Sequence, residues 1–417
     1  MLEAQKITKM ATLLPMSQLQ QKSRLSKNAR RRSDDARRGT AEVTRHISPS
    51  VACELWGRAA GRCECCNRLL YKSPLTQERV NISEKAHIYS FSAKGPRGRG
   101  PYARNSSGLN DVENLMLVCH DCHKTIDQDQ KGERYGPELL KKWKKAHEAR
   151  VALVTEISPS NKSHVVLFGA KIGEEASPLQ FERAAEALFP NRFPSEDRPV
   201  RLSMVCEHED NSEKYWSAET DNLRAAFERH VLPRIQEAQP FHFSVFALAP
   251  QPLLILLGSL FTDKTPVDVY QLHREPPTWH WQPHPSGFEF RINQPQRTGG
   301  NPVLIISLSA SVAHDRVAHV TGEDVSIWEL TIDEPQNDFL KSEAQLAMFR
   351  AAARKIIAAI ASAHGKAHLK IFPAMPVSCA VELGRIRMPK SDMPWEIFDQ
   401  NNKRDGFIPT ITIGASK

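Results

Sequence analysis

Residues 113–127 read ENLMLVCHDCHKTID, and residues 63–66 read CECC. Each stretch contains one Cys-x-x-Cys pair: Cys63 with Cys66, and Cys119 with Cys122. Zinc prefers four ligands arranged as a tetrahedron, and each such turn supplies one side of it. The spacing therefore predicts a zinc-stapled unit, with Cys65 as a competing ligand in a shifted register.

Composition indicates a soluble protein with two or three hydrophobic cores, because 40% of the 417 residues are hydrophobic and 25% are charged. No uninterrupted apolar run reaches the roughly 18 residues of a membrane span, and the N-terminus lacks the apolar core of a secretory signal. Eight cysteines, four of them in tight pairs, fit a reduced compartment better than a disulfide framework. We therefore expect a cytoplasmic protein without a membrane partner.

Positive charge is concentrated in the first third of the chain. Residues 1–150 hold 29 Lys and Arg against 16 Asp and Glu, a net of +13, so the overall +8 leaves −5 for the remainder. Basic surfaces attract nucleic acid because they neutralise its phosphates. A solvated, solubilising face is the alternative.

The sequence divides into four predicted segments. Residues 1–45 form a basic arm with a weak hydrophobic pattern, which is disordered, a helix that touches duplex DNA, or an oligomerisation arm. Residues 46–150 form a first domain and residues 164–417 a second. Residues 151–163 form a linker, whose polar end contains Pro159.

Proline and glycine mark two elements of the first domain. Residues 95–101, GPRGRGP, predict a flexible basic loop suited to contact phosphates, or an irregular surface loop. Pro137 begins a helix. Its predicted buried stripe consists of Leu139, Leu140, Trp143 and Ala146. Its lysines, Lys144 among them, are predicted to face solvent.

Three residues inside or beside the cysteine frame carry the candidate chemistry. Phosphodiester hydrolysis needs an activated water, a group that offsets charge on the phosphate, and a cation at the leaving oxygen. His87 is the candidate general base, because neutral imidazole accepts a proton near pH 7. His123 is the candidate ligand of a catalytic Mg²⁺ or similar ion. Asn114 is expected to hydrogen-bond backbone and hold the loop that bears His87.

Residues 84–88, EKAHI, together with residues 113–127 resemble the ββα-metal motif of HNH endonucleases. The resemblance covers about residues 50–130 and implies a small, zinc-stapled ββα-metal domain that cleaves DNA. It implies the roles of base, loop-holding asparagine and metal ligand for His87, Asn114 and His123.

The second protein ligand of the catalytic ion stays open. Many members of that family place an acidic ligand immediately before the base, where this chain has Ala86. Glu84 and Asp127 are candidates on carboxylate chemistry, or are surface charges. His120 competes with His123, which we favour because it follows the second cysteine pair as the motif requires.

The second domain has an α/β pattern. Residues 165–168, 241–248 and 303–308 are nearly continuous apolar runs, as expected for strands covered on both faces. Residues 342–364 are apolar at helical spacing, with a capping box at the start and a glycine after the end. Alternation of strand and helix favours a largely parallel sheet, with ligands at the carboxyl ends of its strands.

Residues 246–254, 269–274 with 278–281, and 372–385 resemble stretches of the SAVED domain, a fusion of two CARF-like Rossmannoid halves that senses cyclic oligonucleotides. The likeness spans about residues 164–417, so the chain as a whole resembles the HNH-SAVED effector nucleases of CBASS antiphage defence. That family implies a cyclic di- or trinucleotide activator. It also implies a homo-oligomer, dimer to tetramer, on activation, and indiscriminate cleavage of double-stranded DNA.

A cyclic nucleotide presents flat bases and anionic phosphates, so its pocket needs aromatic platforms and cations. Trp279, with Thr278 beside it, is the best stacking candidate, and Phe168 is a second. Lys171 and Arg385 are the phosphate candidates. Core packing is the alternative for the two aromatic residues, and a structural ion pair is the alternative for Arg385.

Three functions are therefore separable. The first is a ligand-gated DNA nuclease. The second is an ungated restriction-type HNH enzyme whose C-terminal domain reads DNA, including modified bases. The third is a zinc-stabilised binder without catalysis.

Overall fold

The computed structural model describes residues 44–170, 179–202, 212–236, 242–401 and 406–414. These residues form two compact units that divide between Val151 and Ala152. The basic arm before Thr44 and the phosphate candidate Lys171 lie outside the described residues. Within them, no helix is long and apolar enough to cross a membrane.

The first unit is built on a small ββα arrangement. Strand β1 (Ser83–His87) pairs antiparallel with β2 (Leu115–Cys119), from which helix α2 (His120–Gln128) follows directly. Helix α1 (Pro49–Arg58) precedes them, and its Val51 N–H donates to the Ser48 side chain at 3.3 Å. Every residue of β2 is buried, so it forms the centre of the core of this unit.

Helix α3 (Pro137–Glu156) begins where the proline predicts, but its buried stripe differs from the prediction. Lys144 is 5% exposed, and its Nζ lies 2.6 Å from Glu148 Oε1 and 3.6 Å from Glu64 Oε1. The prediction that it faces solvent is wrong. The buried residues of the helix are Leu140, Lys144 and His147. Lys144 can be buried because its methylene groups pack like an apolar side chain while its ammonium group contacts carboxylates.

The carboxylate partner of that lysine lies between two of the paired cysteines. Glu64 is 3% exposed, and its Oε2 accepts the Leu117 N–H at 2.8 Å. Burial raises the pKa of Glu64 to about 7. Helix α3 is therefore tied to the cysteine-bearing turn by a buried ion pair.

The segment predicted as a linker is mostly regular structure. Helix α3 continues to Glu156, and the next strand begins at Lys162. Residues 157–161 alone lie between them. The polar residues and Pro159 correctly indicated this short turn. The end of the helix before it was not predictable, because no glycine or proline marks it.

The second unit contains two sheets. The first holds five parallel strands in the order β4-β3-β6-β7, with β5 also beside β3. Its strands are β3 (Lys162–Gly169), β4 (Phe193–Pro194), β5 (Val200–Arg201), β6 (Phe243–Leu248) and β7 (Val267–Val269). Its helices are α4 (Phe181–Ala187), α5 (Glu213–His230), α6 (Leu232–Gln236) and α7 (Gln251–Phe261).

The second sheet has six strands in the order β13-β12-β11-β9-β10-β8, parallel at its centre and antiparallel at both edges. Its strands are β8 (Arg291–Asn293), β9 (Asn301–Ser307), β10 (Val325–Thr331), β11 (Leu369–Ala374), β12 (Trp395–Asn401) and β13 (Gly406–Ile413). Its helices are α8 (His314–Thr321), α9 (Glu343–His364) and α10 (Val377–Arg385). The prediction of a mixed α/β fold with two sheet-based halves is confirmed.

Helix α9 begins and ends where its sequence signals predict. The Ser342 hydroxyl accepts the Gln345 N–H at 3.1 Å, and the Gln345 side chain accepts the Ser342 N–H at 3.2 Å. Gly365 follows the helix at φ +63°, a backbone conformation that side chains disfavour. Apolar residues that recur at the predicted helical spacing are all buried: Leu346, Phe349, Ala353, Ile356 and Ile360.

The two halves of the second unit meet through helices α7 and α10, which follow equivalent central strands. A Cβ added to Gly258 would lie 1.9 Å from the Val381 carbonyl oxygen, and one added to Gly384 would lie 1.9 Å from the Ile255 oxygen. The two backbones are therefore in direct contact where the helices cross. One hydrophobic core joins both sheets around this crossing.

Candidate active site and metal centre

Four cysteines come together as one cluster in the first unit. The Sγ atoms of Cys63, Cys66, Cys119 and Cys122 all lie within 4.8 Å of one another. Tetrahedral zinc, with bonds of about 2.3 Å, would separate neighbouring sulfurs by about 3.8 Å. The measured separation of Cys66 Sγ and Cys119 Sγ is 3.8 Å, so the cluster fits a metal ion of this kind.

Cys65, the competing ligand, lies outside the cluster and is exposed. The turn instead directs Cys63 inward, where its Sγ accepts the Cys119 N–H at 3.3 Å. Burial raises the pKa of Cys63 to about 11, so a cation is needed to hold this sulfur as the thiolate. The cysteine frame thus closes β2 and the start of α2 onto the turn after α1.

His87 is the last residue of β1, partly buried, with its Nε2 2.9 Å from Asn110 Oδ1. Burial lowers the pKa of His87, and the nearby positive charge of Arg45 acts in the same direction. The imidazole is therefore neutral near pH 7, the state that a general base requires.

Asn114 is 1% exposed, at the residue before β2. Its Nδ2 donates to the carbonyl oxygens of Leu109 at 2.8 Å and Tyr89 at 3.1 Å, and its Oδ1 accepts the Tyr89 N–H at 2.9 Å. The Ile88 N–H donates to the Asn114 carbonyl oxygen at 2.8 Å. These bonds connect β2 to the two residues immediately after His87.

His123 lies in the first turn of α2, with its Nε2 3.3 Å from Asp127 Oδ2 one turn later. The hydrogen bond with Asp127 raises the pKa of His123. Burial opposes ionisation of Asp127, yet hydrogen bonds from His123 and Arg97 lower its pKa. An imidazole and a carboxylate are thus adjacent, a donor set that suits a divalent cation.

The other two candidates for this metal form a separate pair. His120 Nδ1 lies 3.4 Å from Glu84 Oε1, and both side chains are about half exposed. Asp127, not Glu84, is therefore the carboxylate beside His123. Within the described residues, only the four cysteines form a group of three or more potential metal ligands, so a catalytic ion here would complete its coordination with water or phosphate.

Arg97 is a structural residue that the sequence prediction missed. Its side chain is 2% exposed, and Nη2 donates to the His87 carbonyl oxygen at 3.2 Å and to Asp127 Oδ1 at 2.9 Å. Its Nε donates to the Ile88 carbonyl oxygen at 2.8 Å. The glycine-rich loop was predicted to be flexible and to contact phosphates, but its central arginine joins the His87 strand to α2. The role is visible only from the four hydrogen bonds of the guanidinium, three to backbone carbonyl oxygens and one to a carboxylate.

Of the predicted ligand-binding residues in the second unit, Lys171 lies outside the described part of the chain, and the other four do not line one common cavity among those found. Phe168 is 1% exposed within the core, and Trp279 is 5% exposed, packed edge-on against Phe246 with ring centres 5.1 Å apart. Thr278 is partly buried next to Trp279, and its carbonyl oxygen accepts the His273 N–H at 2.9 Å. Core packing, the alternative weighed from sequence, accounts for both aromatic rings.

Arg385 is engaged in the structural ion pair that was its alternative role. Its Nη1 lies 2.7 Å from Glu382 Oε1, and Nη2 donates to the Thr265 carbonyl oxygen at 3.0 Å. It lines a cavity of about 870 Å³ together with charged residues of both signs, including Arg192, Asp268 and Arg350. In the described part of the chain, Phe168, Thr278 and Trp279 do not line this cavity.

Two family comparisons bear on these units. Residues 63–130 match the family model for the HNH endonuclease, and residues 223–413 match that for the SMODS-associated and fused to various effectors sensor domain, SAVED. The first unit thus has the fold and cysteine frame of a metal-dependent nuclease domain. The chain therefore joins a segment that matches an HNH endonuclease domain to one that matches a SAVED domain, as the sequence resemblance predicted.

The solved structures to which this chain is similar include two bacterial receptors. The Acinetobacter baumannii Cap4 SAVED/CARF-domain containing receptor with the cyclic trinucleotide 2'3'3'-cAAA is 11% identical, with a TM-score of 0.39 over 73% of this chain and 64% of that chain. The Moraxella osloensis Cap4 receptor is 11% identical, with a TM-score of 0.36 over 74% of this chain and 68% of that chain. The chain thus spans less than two thirds of the first receptor. No curated protein matches it.

Proposed function

We propose that this protein is a metal-dependent endonuclease that a cyclic di- or trinucleotide activates to degrade double-stranded DNA in bacterial antiphage defence. The observation that carries the proposal is the position of His87, whose backbone Asn114 and Arg97 hold, close to the His123 and Asp127 pair, in a chain that also contains a SAVED domain. A cytoplasmic location follows from this role, since the substrate is intracellular DNA.

The chain's own residues supply the base and its support. His87 accepts a proton from the water that attacks phosphorus, and its lowered pKa keeps it available near pH 7. Asn114 and Arg97 hold the backbone at His87 and at the two residues that follow it. His123 and Asp127 would hold the catalytic divalent ion, which when bound offsets charge on the phosphate and the leaving oxygen.

Double-stranded DNA is the proposed substrate because the net +13 of residues 1–150 favours a polyanion. The proposed activator is a cyclic nucleotide because the SAVED match covers most of the second unit. We propose that it enters at the carboxyl ends of the parallel strands, where open α/β sheets bind ligands. Binding would drive association of chains and pairing of their nuclease units.

Gating predicts a specific result in a plasmid-cleavage assay. The purified protein with Mg²⁺ should nick little plasmid alone and degrade it after addition of one member of a cyclic di- and trinucleotide panel. A ligand shifts an equilibrium only by its different affinity for the two states, so the linear form of the active compound should be much weaker.

Two controls make this test decisive. The His87→Ala variant with the same ligand should bind it, as measured by thermal shift, without cutting. Cleavage that is equal with and without every ligand, and that depends on methylation of the plasmid, would favour the restriction-type alternative. Sedimentation with ligand should show a larger assembly, and an unchanged mass under active conditions would contradict the oligomerisation step.

We propose zinc as the ion of the four-cysteine cluster. Elemental analysis of the purified protein should find about one zinc per chain. Cys122→Ser should lose this zinc and destabilise the first unit, because structural zinc contributes directly to folding. Cys65→Ser is the matched control and should keep it, since that thiol lies outside the cluster. Equal zinc loss in both variants would contradict the assignment.

A further inference from the structure

Asn110 connects the proposed base to the segment that precedes α1. Its Oδ1 lies 2.9 Å from His87 Nε2. Its Nδ2 donates to the carbonyl oxygens of Thr44 at 2.8 Å and His46 at 3.3 Å. One amide side chain therefore touches the imidazole with one end and two backbone carbonyls with the other.

These three contacts determine which way the amide faces. A carbonyl oxygen only accepts hydrogen bonds, so the group that faces Thr44 and His46 must be the NH₂ donor. With the amide reversed, its oxygen would oppose two carbonyl oxygens at hydrogen-bond distance, and both would lose their donor. The oxygen of Asn110 therefore faces His87.

The orientation of the amide in turn determines the proton on the imidazole. Because Oδ1 only accepts, the Nε2 of His87 must carry the hydrogen in this contact. A neutral imidazole has a single N–H, so its lone pair is then on Nδ1. The ring is further enclosed by Phe91, 6.1 Å away between ring centres, over which Arg45 lies at 5.6 Å.

We propose that Asn110 is a positioning residue that holds His87 as the Nε2–H tautomer and thereby makes Nδ1 the atom that takes the proton from water. This inference rests on the proposed nuclease function. As the water oxygen bonds to phosphorus, its proton moves to Nδ1, the bond from phosphorus to the leaving oxygen breaks, and that oxygen keeps the electron pair and is protonated by solvent. Thr44 and His46 act through Asn110, by fixing its amide.

The direct test is a long-range ¹H–¹⁵N correlation spectrum of the full chain with ¹⁵N-labelled histidine, without DNA and at a pH where His87 is neutral. The His87 signals are assigned by their loss in the His87→Gln variant. The expected result is a protonated Nε2 and an unprotonated Nδ1. A dominant Nδ1–H form in the wild type would overturn the proposal, whether or not the protein cuts DNA.

Kinetics of two variants complete the test. Asn110→Ala should populate both tautomers and lower the single-turnover cleavage rate by about 10-fold to 100-fold while DNA affinity changes little. Asn110→Asp places a carboxylate at Nε2 and should move the acidic limb of the pH profile upward. Asn105→Ala is the matched control, because within the described residues the side chain of this exposed asparagine bonds only to the neighbouring Ser107 N–H.

The outcomes separate this inference from the proposed function. An Asn110→Ala variant with wild-type tautomer and rate would overturn the positioning role alone. If His87→Ala cut DNA as the wild type does, the proposed function would fail, and the inference that Nδ1 is the base would fail with it even if the tautomer were as expected.

Discussion

Replacement of His87 by alanine is expected to lower the rate of DNA cleavage by about 10²-fold to 10⁴-fold, the usual contribution of a general base. The imidazole of His87 can remove a proton from water because its lowered pKa favours the neutral form and because it is partly exposed. Hydrogen bonds from Asn114 and Arg97 hold the backbone that carries it. Its loss should leave zinc content, ligand binding and DNA affinity unchanged, because His87 is at the end of a short strand and outside the cysteine cluster. Single-turnover kinetics with excess enzyme measure this effect.

His319→Ala serves as the matched control, since His319 is an exposed histidine in the last turn of α8. It should cut DNA at the wild-type rate. Full activity of the His87→Ala variant, with the control also active, would exclude His87 as the base and favour a zinc-stabilised binder contaminated by another nuclease.

Replacement of a glycine by alanine where α7 and α10 cross is expected to cause the largest loss of unfolding free energy. Gly258→Ala or Gly384→Ala would place a Cβ 1.9 Å from a backbone carbonyl oxygen. Backbone cannot rotate away as a side chain can, so the helices must separate and the joined core must open. We expect each variant to lose at least about 3 kcal/mol of unfolding free energy. This corresponds to a fall in the Tm of the second unit of roughly 6 to 12 °C.

Gly299→Ala is the control for this prediction, because nothing lies within 4 Å of a Cβ added to that exposed glycine in the same unit. Its Tm should stay within about 2 °C of the wild type, as for most surface substitutions. Calorimetry distinguishes the two. A Gly384→Ala variant as stable as the control would contradict the backbone contact between α7 and α10.

Local chemistry made several features of this fold predictable. Few folds bring the four thiols of two Cys-x-x-Cys pairs close enough to bind one metal ion. The predicted ββα unit around them is confirmed. The strands and the long helix α9 were also predictable, because burial on both faces, a capping box and a final glycine each act within a few residues. The order of the strands in each sheet was not, since it depends on contacts between distant segments.

The predictions failed where a side chain acts through a partner far away in sequence. Lys144 was assigned to the surface by its charge, but Glu64 lies opposite it in the fold. The loop that contains Arg97 was predicted to contact phosphates or to be an irregular surface loop, but Arg97 bonds to the His87 carbonyl oxygen and to the carboxylate of Asp127. Nothing in the sequence indicated the role of Asn110, because the local sequence around an asparagine in a turn is the same whether or not an imidazole lies beside it in the fold.

Trp279 and Phe168 show a related limit in the second unit. An aromatic residue near the end of a strand has the same sequence pattern in a core as in a binding platform. Here Trp279 packs against Phe246, and Phe168 is enclosed. Their roles in ligand binding stay predictions, as do those of Thr278, Arg385 and Lys171.

Contact of the α7 and α10 backbones at Gly258 and Gly384 also restricts how the second unit can respond to a bound molecule. Neither helix can slide or rotate past the other without a steric collision between main chains. We therefore expect a molecule that binds at one sheet to displace both sheets together, because a shift between them would have to separate these main chains.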